Sequence, residues 1–257
     1  MRRSRGPTTR QFHIKPLVVI GLVAGLFSAL FGVGGGILVV PLLVLVARYG
    51  EREAAATSLG AIGVTAFAGT IAYAFLGRVH VDEAALVGLP AAAGAVAGTA
   101  LQQRLPRRAL SLLFAALLVV VAGLLFFDAE PTLNTGGAAI AAVLGLAAGV
   151  LAGLFGIGGG ILFVPTLVAL GLSHLDAEAT SLLAILPTVA AGAWRQARYG
   201  NFRPGPALAV GLASLPGVAV GVALAESIPE ETLQRLFALL MAGVAAQLAW
   251  RWRARRP

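Results

Sequence analysis

The sequence contains no cysteine, so neither a disulfide framework nor a thiolate metal site is open to it. Charge is scarce as well: Asp, Glu, Lys and Arg make up 12% of the 257 residues, about half the share of an ordinary soluble domain, while hydrophobic residues reach 58%. That balance excludes intrinsic disorder and points to a chain whose solvent is largely lipid. The three histidines, His13, His80 and His174, are isolated and lack metal-ligand spacing. No Walker loop, nucleophile elbow or Cys/His cluster is present, so nothing supports an enzyme and no cofactor or metal is expected. A net charge of +8 would raise nucleic acid as a partner for a soluble protein. Here the basic residues fall in short clusters between apolar stretches, and no nucleic-acid partner is expected.

Several of those stretches reach the roughly 20 apolar residues that a bilayer core of about 30 Å requires. Ala54–Leu76, Ala84–Leu101 and Ala109–Phe127 are the first three; Ala179–Trp194, Pro206–Ala225 and Leu233–Trp250 are their counterparts in the second half. Leu17–Ala47 and Gly136–Gly171 do not fit one straight crossing, and both are interrupted by glycines: Gly32, Gly34, Gly35 and Gly36 in one, Gly156, Gly158, Gly159 and Gly160 in the other. They read as broken helices. The basic start (Arg2, Arg3, Arg5, Arg10, Lys15) reads as a cytoplasmic anchor rather than a secretory signal, because the apolar segment after it recurs later in the chain.

The recurrence is extensive. AGLFSALFGVGGGILVVP at Ala24–Pro41 returns as AGVLAGLFGIGGGILFVP at Ala148–Pro165. After a one-residue slip ATSL follows at Ala56 and again at Ala179, and Gly88, Gly94 and Gly98 match Gly211, Gly217 and Gly221. The chain is thus two copies of one unit, residues 16–128 and 136–252, joined by the linker 129–135 and flanked by basic tails at 1–15 and 253–257. Equivalent loops carry opposite charge. The amino terminus is basic whereas Asp128–Thr135 is acidic, and Arg104, Arg107 and Arg108 face an equivalent loop with Glu226, Glu230 and Glu231. By the positive-inside rule the copies are expected to be inverted, with both termini cytoplasmic. An odd number of crossings per copy follows, so each glycine-broken segment is expected to be a re-entrant helix pair beside three transmembrane helices. The expected fold is therefore an all-α integral membrane protein of two inverted-topology repeats, an architecture common among secondary transporters.

Irregular backbone at membrane depth is tolerated only when buried in protein or lining a wet cavity. After each GGG a short helix is expected to start at Ile37 and Ile161, presenting free N–H groups and a positive dipole end to the turn. A small anion is the natural guest. The candidate binding residues are Gly34, Gly35, Gly36, Ile37, Gly158, Gly159, Gly160 and Ile161. The hydroxyls of Thr57, Ser58, Thr180 and Ser181 support them. Helix capping or back-bonding is the structural alternative for these four hydroxyls, and interhelical hydrogen bonding for Thr65 and Thr188. Gly88, Gly94, Gly98 and their copies read as helix-packing positions. Asp82, Glu83, Asp176 and Glu178 lie near loops and read as solvated. Arg195 and Gln196 read as lining a vestibule or snorkelling.

FGVGGGILVVP and FGIGGGILFVP, each followed by ATSL, together with the later GxxxxxGxxxG in both copies, resemble the TauE/SafE family of membrane permeases, also called sulfite exporters. The resemblance covers almost the whole chain. It implies transport of a small sulfur-containing anion, such as sulfite or an organosulfonate, across the bacterial cytoplasmic membrane. The absence of the cysteine used by some thiosulfate-handling relatives of similar fold argues against thiosulfate uptake of that kind. The expected partners are the anion and the bilayer, with a homo-oligomer left open. Export is favoured, since an inside-negative potential drives an anion outward and no intramembrane carboxylate is positioned to carry a proton. A channel-like pore, a carrier of another small anion and a membrane assembly factor are the alternatives.

Overall fold

The computed structural model describes residues 14–106 and 137–229 without a break, together with part of 109–120 and 231–243. Among the described residues all regular structure is helical. In chain order the helices are α1 (Ile14–Phe31), α2 (Gly36–Leu45), α3 (Glu51–Phe75), α4 (Val81–Arg104), α5 (Gly137–Phe155), α6 (Gly160–Ala169), α7 (His174–Arg198) and α8 (Pro204–Ala225). The described residues between 109 and 120 are also helical, and Phe114 stacks on Phe155 with ring centroids 5.2 Å apart. Residues 1–13, Arg107, Arg108, the end of the expected Ala109–Phe127 span, the linker, most of the expected Leu233–Trp250 span and the carboxyl-terminal tail lie outside the described residues, and Lys15, expected in the basic tail, lies in the first turn of α1.

Among the described residues six helices (α1, α3, α4, α5, α7, α8) are long and apolar enough to cross a membrane. The 18 residues of α1 extend about 27 Å at the α-helical rise, whereas the 10 residues of α2 and of α6 extend about 15 Å, half a bilayer core. Local sequence sets these lengths. Gly32, Gly34 and Gly35 adopt φ of 60°, 70° and 70°, and Gly156, Gly158 and Gly159 adopt 76°, 82° and 97°, a region closed to most L-residues. The helix therefore ends at Phe31 or Phe155 and restarts five residues later, at Gly36 or Gly160. The carboxylates of Glu51 and Glu53 in α3, and of Asp176 in α7, occupy first turns where the helix dipole favours them. Ser173 caps α7 by accepting from the Asp176 N–H at 3.2 Å. Pro204 opens α8 with its φ already set for a helix.

Small residues bring two pairs of long helices into close contact, as expected where lipid supplies no hydrophobic drive. Gly21 and Gly25 of α1 lie against the carbonyls of Val210 and Ser214 in α8, and Gly217 and Gly221 of α8 answer against those of Leu22 and Leu26. The same arrangement recurs between the other halves. Gly145, Gly149 and Gly153 of α5 lie on the carbonyls of Val87, Ala91 and Ala95 in α4, and Gly94 and Gly98 answer on those of Leu146 and Val150. Gly88 and Gly211 also pack closely, against Ala184 and Val64, so all six glycines expected to pack do so. In both pairs residue numbers rise together, so α1 runs alongside α8, and α5 alongside α4, in the same direction. Each pair joins one sequence copy to the other.

The bundle has two polar ends. At one, Arg203 meets Glu53 at 2.6 Å and Arg52 donates to the carbonyls of Gln103 and Leu105, both at 3.1 Å. At the other, Arg78 meets Glu226 at 3.3 Å and Asp176 at 3.5 Å, and His80 lies 3.9 Å from Asp176. Arg78, the basic residue in an otherwise acidic set of loops, is thus neutralised by two carboxylates. Its pKa is raised by the hydrogen bond and charge of Glu226, then by Asp176.

The close approach on α5 generates a stability prediction. A Val at Gly149 would drive its side chain into the Ala91 carbonyl, whereas a methyl at Gly205, near the start of α8, meets nothing within 4 Å. Thermal unfolding in detergent is expected to show a loss of about 1–3 kcal/mol for Gly149→Val, the usual cost of overpacking. Gly205→Ala is expected to be neutral or slightly stabilising, because Ala is the better helix former.

Candidate functional site

The two glycine turns, 124 residues apart in sequence, meet in the middle of the bundle. A methyl built at Gly36 would come within 2.7 Å of the Ile157 backbone, and one at Gly160 within 2.5 Å of the Val33 Cα. The contact is reciprocal, as pairing of two like units requires. Ile62 of α3 and Ile185 of α7, themselves equivalent in the repeat, cover the turns: both lie beside Gly34 and beside Gly158. Neither isoleucine stood out in the sequence, because an apolar residue in an apolar helix carries no local signal.

The short helices begin one residue before the expected position, at Gly36 and Gly160. Their first bonds run from Leu38 and Val39 to the Gly35 carbonyl, and from Leu162 and Phe163 to the Gly159 carbonyl. The amides of Gly36, Ile37, Gly160 and Ile161 thus stand ahead of the helical ladder, at the positive end of each dipole. Gly35 and Gly159 are the N-caps and offer no side chain that could satisfy these groups. Gly34, Gly35, Gly36, Ile37, Gly158, Gly159, Gly160 and Ile161 are all buried.

The four candidate hydroxyls are all fully buried, but they are not used alike. Thr180 accepts from the His80 N–H at 3.1 Å, and Ser181 donates to the Gly32 carbonyl while lying 2.7 Å from the Glu178 carbonyl. Both therefore brace the backbone, the structural alternative raised from the sequence. Thr57 and Ser58 make no hydrogen bond among the described residues. Thr65 lies 2.7 Å from the Ser214 hydroxyl, an interhelical bond as expected, and Thr65 and Thr188 each also bond back within their own helices, to the carbonyls of Ala61 and Ala184.

Buried donors anchor the end of the long helix before each turn. The Tyr73 hydroxyl donates to the Ala29 carbonyl at 2.8 Å. On the other side Gln102 donates to the Leu154 carbonyl at 2.6 Å and accepts from Gln196 at 2.5 Å, while Asn201 donates to Gln196 at 3.0 Å. Gln196 is thus a buried structural group, not a vestibule lining. Arg195 stacks over Tyr199 with its guanidinium carbon 5.1 Å from the ring centre, and Trp194 sits under Arg198. Glu178, expected in solvent from its place near a loop, is instead 8% exposed, because the start of α7 is covered by the Gly32 turn. Asp176 stays partly exposed within its ion pairs.

The glutamine chain is a closed network, and removing its middle member tests its weight. Gln196→Leu would leave Gln102 and Asn201 each short of a partner, at a cost of about 1–3 kcal/mol per stranded buried group. Thermal unfolding is expected to fall accordingly.

Comparison with known proteins gives the arrangement its context. The model of the family described as "Sulfite exporter TauE/SafE" matches residues 1–125 and 140–257. A protein of Xylella fastidiosa (strain Temecula1) named "Probable membrane transporter protein" is 30% identical over 249 residues, covering 90% of this chain and 93% of that protein. "Probable membrane transporter protein YunE" of Bacillus subtilis is 25% identical over 263 residues, covering 91% of this chain and 96% of its own. No solved structure matches the chain. The break in the family match, at residues 126–139, falls on the junction between the two sequence copies, so the matched halves are the repeated units themselves. The chain belongs to the TauE/SafE family of membrane transporters.

Proposed function

We propose that the protein is a secondary transporter of a small sulfur-containing oxyanion, such as sulfite or an organosulfonate, which it carries outward across the bacterial cytoplasmic membrane. The observation that carries this reading is the meeting of the two glycine turns. Four amides at two helix N-termini, those of Gly36, Ile37, Gly160 and Ile161, stand at that meeting, where the described neighbours of Gly34, Gly36, Gly158 and Gly160 are uncharged. An oxyanion held by amide dipoles alone is bound without the trapping that a buried ion pair would impose. Ile62 and Ile185 make the site dry, which strengthens those hydrogen bonds, and their side chains must shift for an anion to enter. Of the four candidate hydroxyls, Thr57 and Ser58 have bonding capacity to spare.

The charge pattern of the loops supports inverted repeats with both termini cytoplasmic. Loops assigned to one side by their charge also lie together at one end of the bundle: those of Arg52 and Arg203 at one, those of Arg78, Asp176 and Glu226 at the other. Export follows from energetics. An inside-negative potential moves each negative charge outward with about 2.3 kcal/mol per 100 mV, so no coupling ion is required.

Flux in proteoliposomes tests the proposal, using sulfite, sulfoacetate, sulfate and thiosulfate under an imposed potential of either sign. Saturable flux of sulfite or sulfoacetate that grows when the anion side is negative is expected, and flux that fails to saturate would favour a pore. Gly35→Ala, which would press a methyl to 2.7 Å from the Ala24 carbonyl, and Gly159→Ala, which would press one to 2.8 Å from the Phe163 ring, are each expected to abolish it. Gly171→Ala is the control: its φ of 100° carries the same backbone strain, but the space around it is open. Unchanged flux in both site variants would remove the glycine turns from the mechanism.

A further inference from the structure

The repeat maps each residue of α3 onto one of α7 at a separation of 123, and this equivalence exposes a difference between the two ends of the bundle. At the α7 end Gly32 packs on Glu178, Ser181 donates to the Gly32 carbonyl, and Thr180 accepts from the His80 N–H. At the α3 end the backbone contact is reproduced, with Gly156 packed on Ala55, the counterpart of Glu178. The charged rims correspond too: Glu53 with Arg203 stands where Asp176 with His80 stands. The hydroxyl bonds alone are missing. Ser58 and Thr57, the counterparts of Ser181 and Thr180, are fully buried and make no hydrogen bond among the described residues.

Ser58 is nevertheless aimed at the turn. Residues 55, 58 and 62 share one stripe of a helix. Ala55 touches Gly156, and Ile62 touches Gly158, so the side chain between them faces the same turn. A buried hydroxyl without a partner costs about 1–3 kcal/mol, and a site kept in that condition calls for a state in which the bond is made.

We infer that the hydroxyl pairs Thr180–Ser181 and Thr57–Ser58 are alternating latches: the structure holds the first closed and the second open, and the opposite conformation exchanges them. In that conformation Ser58 donates to the Gly156 carbonyl and Thr57 accepts from the Arg203 N–H, while Ser181 and Thr180 release Gly32 and His80. Because the two latches use the same pair of hydroxyl residues, exchanging one for the other conserves the number of hydrogen bonds, as suits a carrier that must visit both conformations. The glycine turns are pulled first towards one long helix and then towards the other, which regulates access to the anion site from the two ends. The inference rests on the transport reading for its role but not for its test.

The cysteine-free sequence allows the test directly. Ala54 and Ala177 are equivalent, fully buried residues at the starts of α3 and α7. Each is replaced by cysteine in turn, and its rate of modification by N-ethylmaleimide is measured with and without a latch mutation. Ser181→Ala is expected to raise labelling of Ala177→Cys and lower that of Ala54→Cys, each by about fivefold, the population shift that one net hydrogen bond supports. Ser58→Ala is expected to shift both in the opposite sense, and Ser181→Thr, which keeps the hydroxyl, to leave them near the parent values. Shifts in the same sense for both alanine variants, or no shift from Ser58→Ala, would overturn the inference. Opposed labelling shifts in a protein that moves no anion would sink the transport reading instead and leave the latches standing. Saturable flux with unshifted labelling would do the reverse.

Discussion

The structure turns on one constraint: backbone that leaves the helix inside a membrane must find partners for its N–H and C=O groups. Two stretches of this chain break their helices at depth, and each is covered by the other copy. Gly32 and Val33 rest on α7 and on Gly160, while Gly156 and Ile157 rest on α3 and on Gly36. The long helices are then drawn in beside the turns, α1 on α8 and α5 on α4, through glycines that let carbonyl oxygens approach where a methyl would block them. Neither copy could bury its own turn in this way. The exchange of contacts between copies is what makes the duplicated sequence one domain.

The same constraint makes the turns chemically useful. Donors that are not consumed by a helical ladder or by a cap are held in position by packing alone, and the partner that suits them is an anion. Just before each turn the carbonyl of the long helix is already engaged, that of Ala29 by Tyr73 and that of Leu154 by Gln102.

Much of this was legible in the sequence because glycine, charge and repetition are strong signals. Four glycines in five positions, twice, located the turns, and the repeat located their partners. Gly88, Gly94, Gly98 and their copies could be read as packing positions from spacing. What stayed hidden depended on contacts between distant segments. Ile62 and Ile185 look like any lipid-facing residue until both turns are placed against them. Gly21, Gly25, Gly145, Gly149 and Gly153 follow the small-xxx-small spacing and were within reach of the same reasoning. Glu178 was misplaced because nearness to a loop in sequence says nothing about what folds over it. The split between Thr180–Ser181 and Thr57–Ser58 was out of reach altogether, since the residues are identical in the two copies and only the hydrogen bonds differ.

Binding at the paired turns is the central claim, and anion-dependent stability measures it without requiring transport. The thermal unfolding of detergent-purified protein is followed while sulfite or sulfoacetate is titrated. Mass action predicts a rise that continues with the logarithm of ligand concentration, reaching about 2.7 kcal/mol at one hundred times the dissociation constant, and the loss of that rise in both Gly35→Ala and Gly159→Ala. A rise of full size in both variants would contradict the account.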